Sequence, residues 1–183
     1  MHVYDILQEL NFENGSNYKL DVLRKYKDHD LLKRVLEMTY DSVKFTYGIS
    51  MKNVDPKILE GEPNAVFDLE DVLENVLVKE LSTRKATGHA ALARLEEVLK
   101  NVSKKDQMVV VGIINRDHRI NMGTRNINKV FKGLITRPVY MRCGLFNDKS
   151  KKKIDPNGAY VQLKADGTYR EFTVEHGTVK CNS

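Results

Sequence analysis

Lys164, in the run Gln162-Leu163-Lys164-Ala165-Asp166-Gly167, is the residue whose neighbours best equip it for covalent chemistry. Tyr160, Gln162 and Lys164 alternate with Val161, Leu163 and Ala165, the period of a half-buried strand, and Asp166-Gly167 signals a tight turn into a second strand. Lys164 is therefore expected at a strand end, on the face opposite Val161 and Leu163. Burial and neighbouring positive charge both disfavour an ammonium ion, so a lysine held there can lose its proton near neutral pH and attack an α-phosphate. The product would be a lysine-AMP phosphoramidate. Lys-x-Asp-Gly is also short enough to recur by chance, and a lysine beside a hairpin turn needs no function, so the surrounding chain must supply the context.

The elements that would carry this lysine come late in the chain. The first two thirds read as short amphipathic helices: Val3, Ile6, Leu7 and Leu10 mark one, Leu20, Leu23 and Tyr26 a second, and Leu32, Val35, Leu36, Thr39, Tyr40 and Val43 a longer third. A loop is expected over 48–64, with Pro56 and Pro63. Beyond it comes a helix striped by Leu69, Val72, Leu73, Val76 and Leu77 with Asp68 as N-cap. Another helix starts near Thr87. Ser103 and Asp106 form a capping signal before the apolar run Met108 to Ile114, and a last helix runs from Thr124 to Phe131. After Gly133 the pattern changes. Residues 139–145 read as extended, 147–158 as a polar loop, and strands are expected from Ala159, over 169–174 and from Thr178, the last two joined by a His-Gly turn. The fold class is mainly α, a multi-helix unit over 1–137 followed over 138–183 by the first antiparallel β-strands of an α+β domain.

Charge follows the same division. Residues 1–100 hold 14 Lys/Arg against 18 Asp/Glu, a net of −4, residues 101–153 hold 13 against 3, a net of +10, and residues 154–183 hold 3 against 4, a net of −1. A short lysine run such as Lys151-Lys152-Lys153 reads as a solvated face, but so long a block mixed with helix-capping residues points to a polyanionic partner. The longest apolar stretch is too short to span a bilayer and no leader pattern opens the chain, so a soluble cytoplasmic protein without a membrane partner is expected. Cys143 and Cys181 lack a paired spacing and the five histidines are scattered, so neither a disulfide framework nor a protein-built metal site is expected.

Four ordered blocks carry a family likeness: Leu31-Leu32-Lys33-Arg34-Val35 with Thr39-Tyr40; Thr83 to Gly88 with Ala90-Ala91; Arg116-Asp117 leading to Asn128-Lys129-Val130 and Gly133-Leu134-Ile135; and Gln162 to Gly167. On these the chain resembles the ATP-dependent DNA ligases of T-even-type bacteriophages, from about residue 30 onward. The resemblance implies a helical DNA-binding domain over 1–137 that grips duplex DNA through the minor groove and backbone. Over 138–183 it implies the start of the adenylation (nucleotidyltransferase) domain. It makes Lys164 the nucleophile that takes AMP from ATP, Gln162 the reader of adenine, and Leu163, Asp166, Gly167 and Arg170 neighbours of the nucleotide, with Mg2+ arriving on the ATP. AMP would then pass to the 5′-phosphate of a nick and be displaced by the 3′-hydroxyl, in DNA repair, replication or recombination. Its candidate DNA contacts are Arg84, Lys85, Thr87 and Gly88 at one helix start, and Arg116, Arg119, Thr124, Arg125, Asn128 and Lys129 around another. Helix N-termini and arginines hold phosphates without reading sequence, so binding to nicked double-stranded DNA is expected to be sequence-independent. For any one arginine the competing expectation is a salt bridge to the acidic first hundred residues.

The chain departs from that family in three places. The arginine usual five residues after the lysine is Tyr169 here, and Arg170 follows it; in a regular strand the shift turns Arg170 to the other face, which a bulge after Gly167 would reverse. A glycine usual after Arg116-Asp117 is Asn121, which tolerates left-handed backbone, and Gly123 is near enough to share the role. The chain ends at Ser183 where relatives continue, so the expectation is a truncated, monomeric ligase portion that does not seal nicks alone. A missing C-terminal ligase portion or a replication clamp would be its protein partner. The alternatives are a non-catalytic, sequence-independent DNA-binding module with a vestigial lysine motif, and an RNA ligase or capping-type nucleotidyltransferase, against which the helical N-terminal domain argues.

Overall fold

A computed structural model of the chain describes residues 1–136, 147–155, 157–158, 171–175 and 177–182. The chain divides into two compact units, Met1–Arg137 and Pro138–Ser183. The first unit is helical. In order it holds α1 (Val3–Phe12), α2 (Ser16–Lys25), α3 (Asp30–Tyr40), a 3-10 turn (Met51–Asn53) and α4 (Pro56–Glu60). There follow α5, which opens as Leu69–Asp71 and runs on π-wound as Val72–Ser82, then α6 (Gly88–Asn101), α7 (Lys104–Ile114) and α8 (Thr124–Val130).

The apolar stripes read from the sequence are the core. Val3, Ile6, Leu7 and Leu10 of α1, Leu20 and Leu23 of α2, and Leu32, Val35 and Leu36 of α3 are all buried. Each such side chain contributes about 1.5–3 kcal/mol by leaving water. α7 is central: it packs on both α1 and α3, and much of it is buried, including Val109, Val110, Gly112, Ile113 and Ile114, while Met108 stays exposed. In α5 the buried residues are Val72, Leu73, Val76, Leu77 and Leu81.

Three sequence expectations change. α3 stops at Tyr40, short of Val43, because the Asp41 carboxylate accepts the N–H groups of Val43 (3.1 Å) and Lys44 (2.8 Å) and closes a turn there. The expected 48–64 loop holds the 3-10 turn and α4, for Pro56 sits in the first helical turn, where its missing N–H costs nothing, and Asp55 caps Lys57 N–H. In the second unit the expected 147–158 loop contains α9 (Asp148–Lys151), started by a capping box between Asn147 and Ser150.

The second unit's described residues also include β1 (Glu171–Glu175) and β2 (Thr178–Asn182), an antiparallel pair with Val174 opposite Val179. They fall where strands over 169–174 and from Thr178 were expected, and Gly177 takes the turn at φ 78°. The expected strand from Ala159 and extended segment 139–145 lie outside the described residues. Among the described residues no helix is long and apolar enough to cross a membrane.

Candidate nucleic-acid interface

All ten candidate polyanion contacts lie in the first unit, and the structure sorts them by what their polar atoms already do. Arg116 follows the end of α7 in left-handed backbone, φ 59°. Its Nη1 donates to the carbonyls of Met38 (3.0 Å) and Thr39 (3.3 Å), its Nη2 donates to Phe45 O, and the guanidinium stacks on the Tyr47 ring at 4.7 Å. The Met38 and Thr39 carbonyls are among those that the end of α3 leaves without intrahelical partners. Burial pulls the Arg116 pKa down from its ordinary value. Both its Nη atoms are therefore engaged inside the protein. Asn128 is committed too: its Nδ2 donates to Ile135 O (2.8 Å) and its Oδ1 accepts from Ile135 N (2.9 Å). Asp41 fastens the next residue by accepting Thr136 N–H at 2.7 Å. Its burial alone would raise its carboxyl, but the N–H groups of Lys44 and Thr136 outweigh that and hold it below the usual range.

Between Arg116 and α8 the loop alternates anchors with presented residues. His118 is half-buried, its ring set against Gly112 with Nε2 at 2.9 Å from Thr39 Oγ1, and desolvation pushes its pKa down to about 4. Ile120 is buried, and its carbonyl accepts from the buried Lys19 Nζ. Arg119 between them is exposed at φ 59°, its N–H held by Asp117 Oδ1 at 2.6 Å. Asn121 is left-handed at φ 48°, as expected, whereas Gly123 is extended at φ −72° and takes no share of that role. On α8, Thr124 is half-buried, while Arg125 and Lys129 are exposed and, four residues apart, share a face.

The second group surrounds the start of α6. Thr83, Arg84, Lys85, Thr87 and Gly88 are all exposed. Arg84 has φ 64° and Gly88 φ 55°, and no protein atom comes within 4 Å of where a Gly88 side chain would begin. Thr87 is the N-cap of α6 but its side chain accepts no N–H.

Arg84, Lys85, Arg119, Arg125 and Lys129 form no ion pair with any described residue, in contrast to the cations of the acidic half. There Arg34 bridges Glu37 and Glu74, Arg94 bridges Glu80 and Glu97, Lys25 meets Glu9, Lys33 meets Asp30 and Lys44 meets Glu37. Apart from Asp5, which meets Lys105 at 2.7 Å, these acidic residues pair within their own region, and Arg84, Arg119 and Arg125 do not form the competing salt bridges with it. Lys132, also exposed and without an ion pair to a described residue, escaped the sequence reading; its place in the basic block was the available signal. Gln162, Leu163, Lys164, Asp166, Gly167 and Arg170 lie outside the described residues. Among the described residues no group of three His, Cys, Asp or Glu side chains gathers to hold a metal ion.

No family model matches the chain. The DNA ligase of Enterobacteria phage T4 is 30% identical to it over 165 residues, 90% of this chain and 33% of that protein, and the DNA ligase of Enterobacteria phage T6 matches to the same extent. The solved structures titled Pmar-Lig_PreS3 (TM-score 0.60, 22% identity, 72% of this chain and 30% of that one) and Pmar-Lig_Pre (TM-score 0.62, 19% identity, 84% and 35%) share its fold. The resemblance to T-even phage DNA ligases thus holds over nine tenths of the chain, which spans about a third of the length of the ligases it matches.

Proposed function

We propose that the chain is the N-terminal portion of an ATP-dependent DNA ligase, with a helical unit that grips nicked duplex DNA and a second unit that carries the adenylylated lysine. The observation that carries this reading is the 30% identity to phage DNA ligases along 165 residues. The free cations support it: Arg84, Lys85, Arg119, Arg125 and Lys129 are exposed and unpaired with described residues, Arg84 and Arg119 in left-handed turns, Lys85 before α6, Arg125 in the first turn of α8 and Lys129 in its last. Left-handed backbone costs an arginine about 1 kcal/mol, and such strain gathers where side chains must be aimed. Thr87, Gly88 and Thr124 offer hydroxyl and backbone groups beside them; Arg116 and Asn128 frame the site. Binding is to phosphates and so independent of sequence.

In the adenylylation step the Lys164 Nζ attacks the α-phosphorus of ATP. An N–P bond forms, the bond to the bridging oxygen breaks, and pyrophosphate leaves. Gln162 would read adenine, with Leu163, Asp166, Gly167 and Arg170 about the nucleotide and Mg2+ brought with it.

Fluorescence anisotropy with nicked and single-stranded DNA across salt tests the grip. Duplex preference with a steep fall of log affinity against log salt is expected, and no binding at low salt overturns it. Intact mass after ATP and Mg2+ tests the lysine: an AMP adduct absent from Lys164→Ala is expected, and an adduct that survives the substitution refutes the assignment.

A further inference from the structure

Arg84 is exposed, its N–H donates to Leu81 O (3.1 Å), and its side chain makes no hydrogen bond to a described residue. Its guanidinium lies over Gly48. A Cβ built there would overlap Nη1 and stand 2.9 Å from Cζ. Gly48 itself has φ 64°, a conformation that glycine adopts without strain. The segment that leads into Gly48 is anchored at residues 45, 46 and 47. Phe45 N–H donates to Asp41 O (3.2 Å), Phe45 O accepts from Arg116, Thr46 N–H donates to Ser82 Oγ (3.4 Å), and the buried Tyr47 donates its hydroxyl hydrogen to Met38 O (3.0 Å). Arg116 stacks on the Tyr47 ring at 4.7 Å. One strap therefore meets Arg116, which opens the loop to Arg119, at one end and Arg84 at the other.

We propose that Gly48 is a positioning residue for Arg84: by carrying no side chain it seats the guanidinium on the Phe45–Gly48 strap, donors facing outward, ready for a backbone phosphate of duplex DNA. The proposal rests on the DNA-binding reading above. An arginine left free in solution carries about 2 kcal/mol of rotamer entropy, part of which it loses on pairing. One already confined by its seat loses less, and the difference appears as affinity.

The test is a double-mutant cycle on the 183-residue chain, read by anisotropy with a nicked duplex across salt. Arg84→Ala is expected to reduce the slope of log affinity on log salt by about 0.9 and the affinity about five-fold near ~0.15 M salt, the effect of one phosphate contact. Gly48→Ala is expected to cost a similar factor in the native background and nothing further in Arg84→Ala. If Gly48→Ala does not fold alone, the double variant, from which the overlapping group is gone, is compared with Arg84→Ala; equal affinity supports the seat and a further loss overturns it. Full affinity in Gly48→Ala, or equal losses in both backgrounds, overturns the positioning role while leaving the DNA reading intact. An unmodified chain that does not bind at low salt overturns the DNA reading itself.

Discussion

His118 is an imidazole with nowhere to put a second proton. Its ring fills the space beside Gly112, its Nε2 meets the Thr39 hydroxyl, and burial holds its pKa at about 4 against an ordinary 6.5. Between those two values the unfolded chain takes up a proton that the folded chain refuses. Stability is therefore level above about pH 6.5 and falls as pH descends toward 4, by roughly 3 kcal/mol in all from this one group. Urea unfolding across that range should show the slope, and His118→Gln should flatten it; an unchanged slope in the variant would assign the effect elsewhere. Asp41 acts in a lower window. Its carboxyl is held below 3.8, so its contribution is present above that value and lost as pH falls further. Arg116 and Arg119, three residues apart, separate by readout. Arg116→Lys leaves the carbonyls of Met38, Thr39 and Phe45 short of donors and should cost about 1–3 kcal/mol of stability. Arg119→Ala should leave the melting temperature nearly unchanged and weaken DNA binding.

At the scale of elements, the capping signals predict their own energetics. The Ser103 hydroxyl accepts Asp106 N–H at 3.2 Å and donates to the Asp106 carboxylate at 2.6 Å, so Ser103→Ala should cost about 1 kcal/mol in chemical denaturation without touching DNA affinity. A loss of binding at constant stability would contradict that. This cap, the Asp68 cap and the stripes of α1, α2, α3 and α5 were legible because each is a local pattern that tertiary structure completes. What was not legible turned on single residues with two possible uses. Asp41 could have continued α3 and instead ends it; Pro56 reads as a breaker and instead opens a helix; Asn147 reads as loop and instead starts α9. The π winding of α5 has no sequence signature at all. Within the site, the basic block announced the charge, but the sequence cannot say which arginine lies beside the end of α3 and spends its donors there. That is why Arg116 and Asn128 stood among the contacts with no sign of the hydrogen bonds they make inside the protein, and why Gly48, with no charge to attract notice, was passed over.

At the scale of the whole chain, charge is unevenly spread along the sequence. The acidic first hundred residues hold several of their cations in ion pairs, such as Arg34 with Glu37 and Glu74, most of them partly exposed and so worth at most about 1 kcal/mol each, while Arg84 and Lys85 pair with no described residue. The cations of 101–132 have few acids beside them: Asp106 is buried facing His2, and Asp117 Oδ1 accepts the backbone N–H of Arg119. Stability thus rests on apolar burial, which salt does not weaken, whereas the proposed affinity for DNA would rest on phosphate contacts, whose released counterions would make binding steeply salt-dependent. Raising salt from about 0.05 to 0.2 M should therefore weaken binding to nicked duplex roughly 40-fold if three of the free cations each meet a phosphate, about 3.5-fold per contact. Over the same range the melting temperature should move by no more than a degree or two, because the screened pairs contribute so little. A melting temperature that falls in step with affinity would mean that the basic block holds the fold together. In that case Arg119, Arg125 and Lys129 would be structural cations, and the grip would have to be sought at the start of α6 alone.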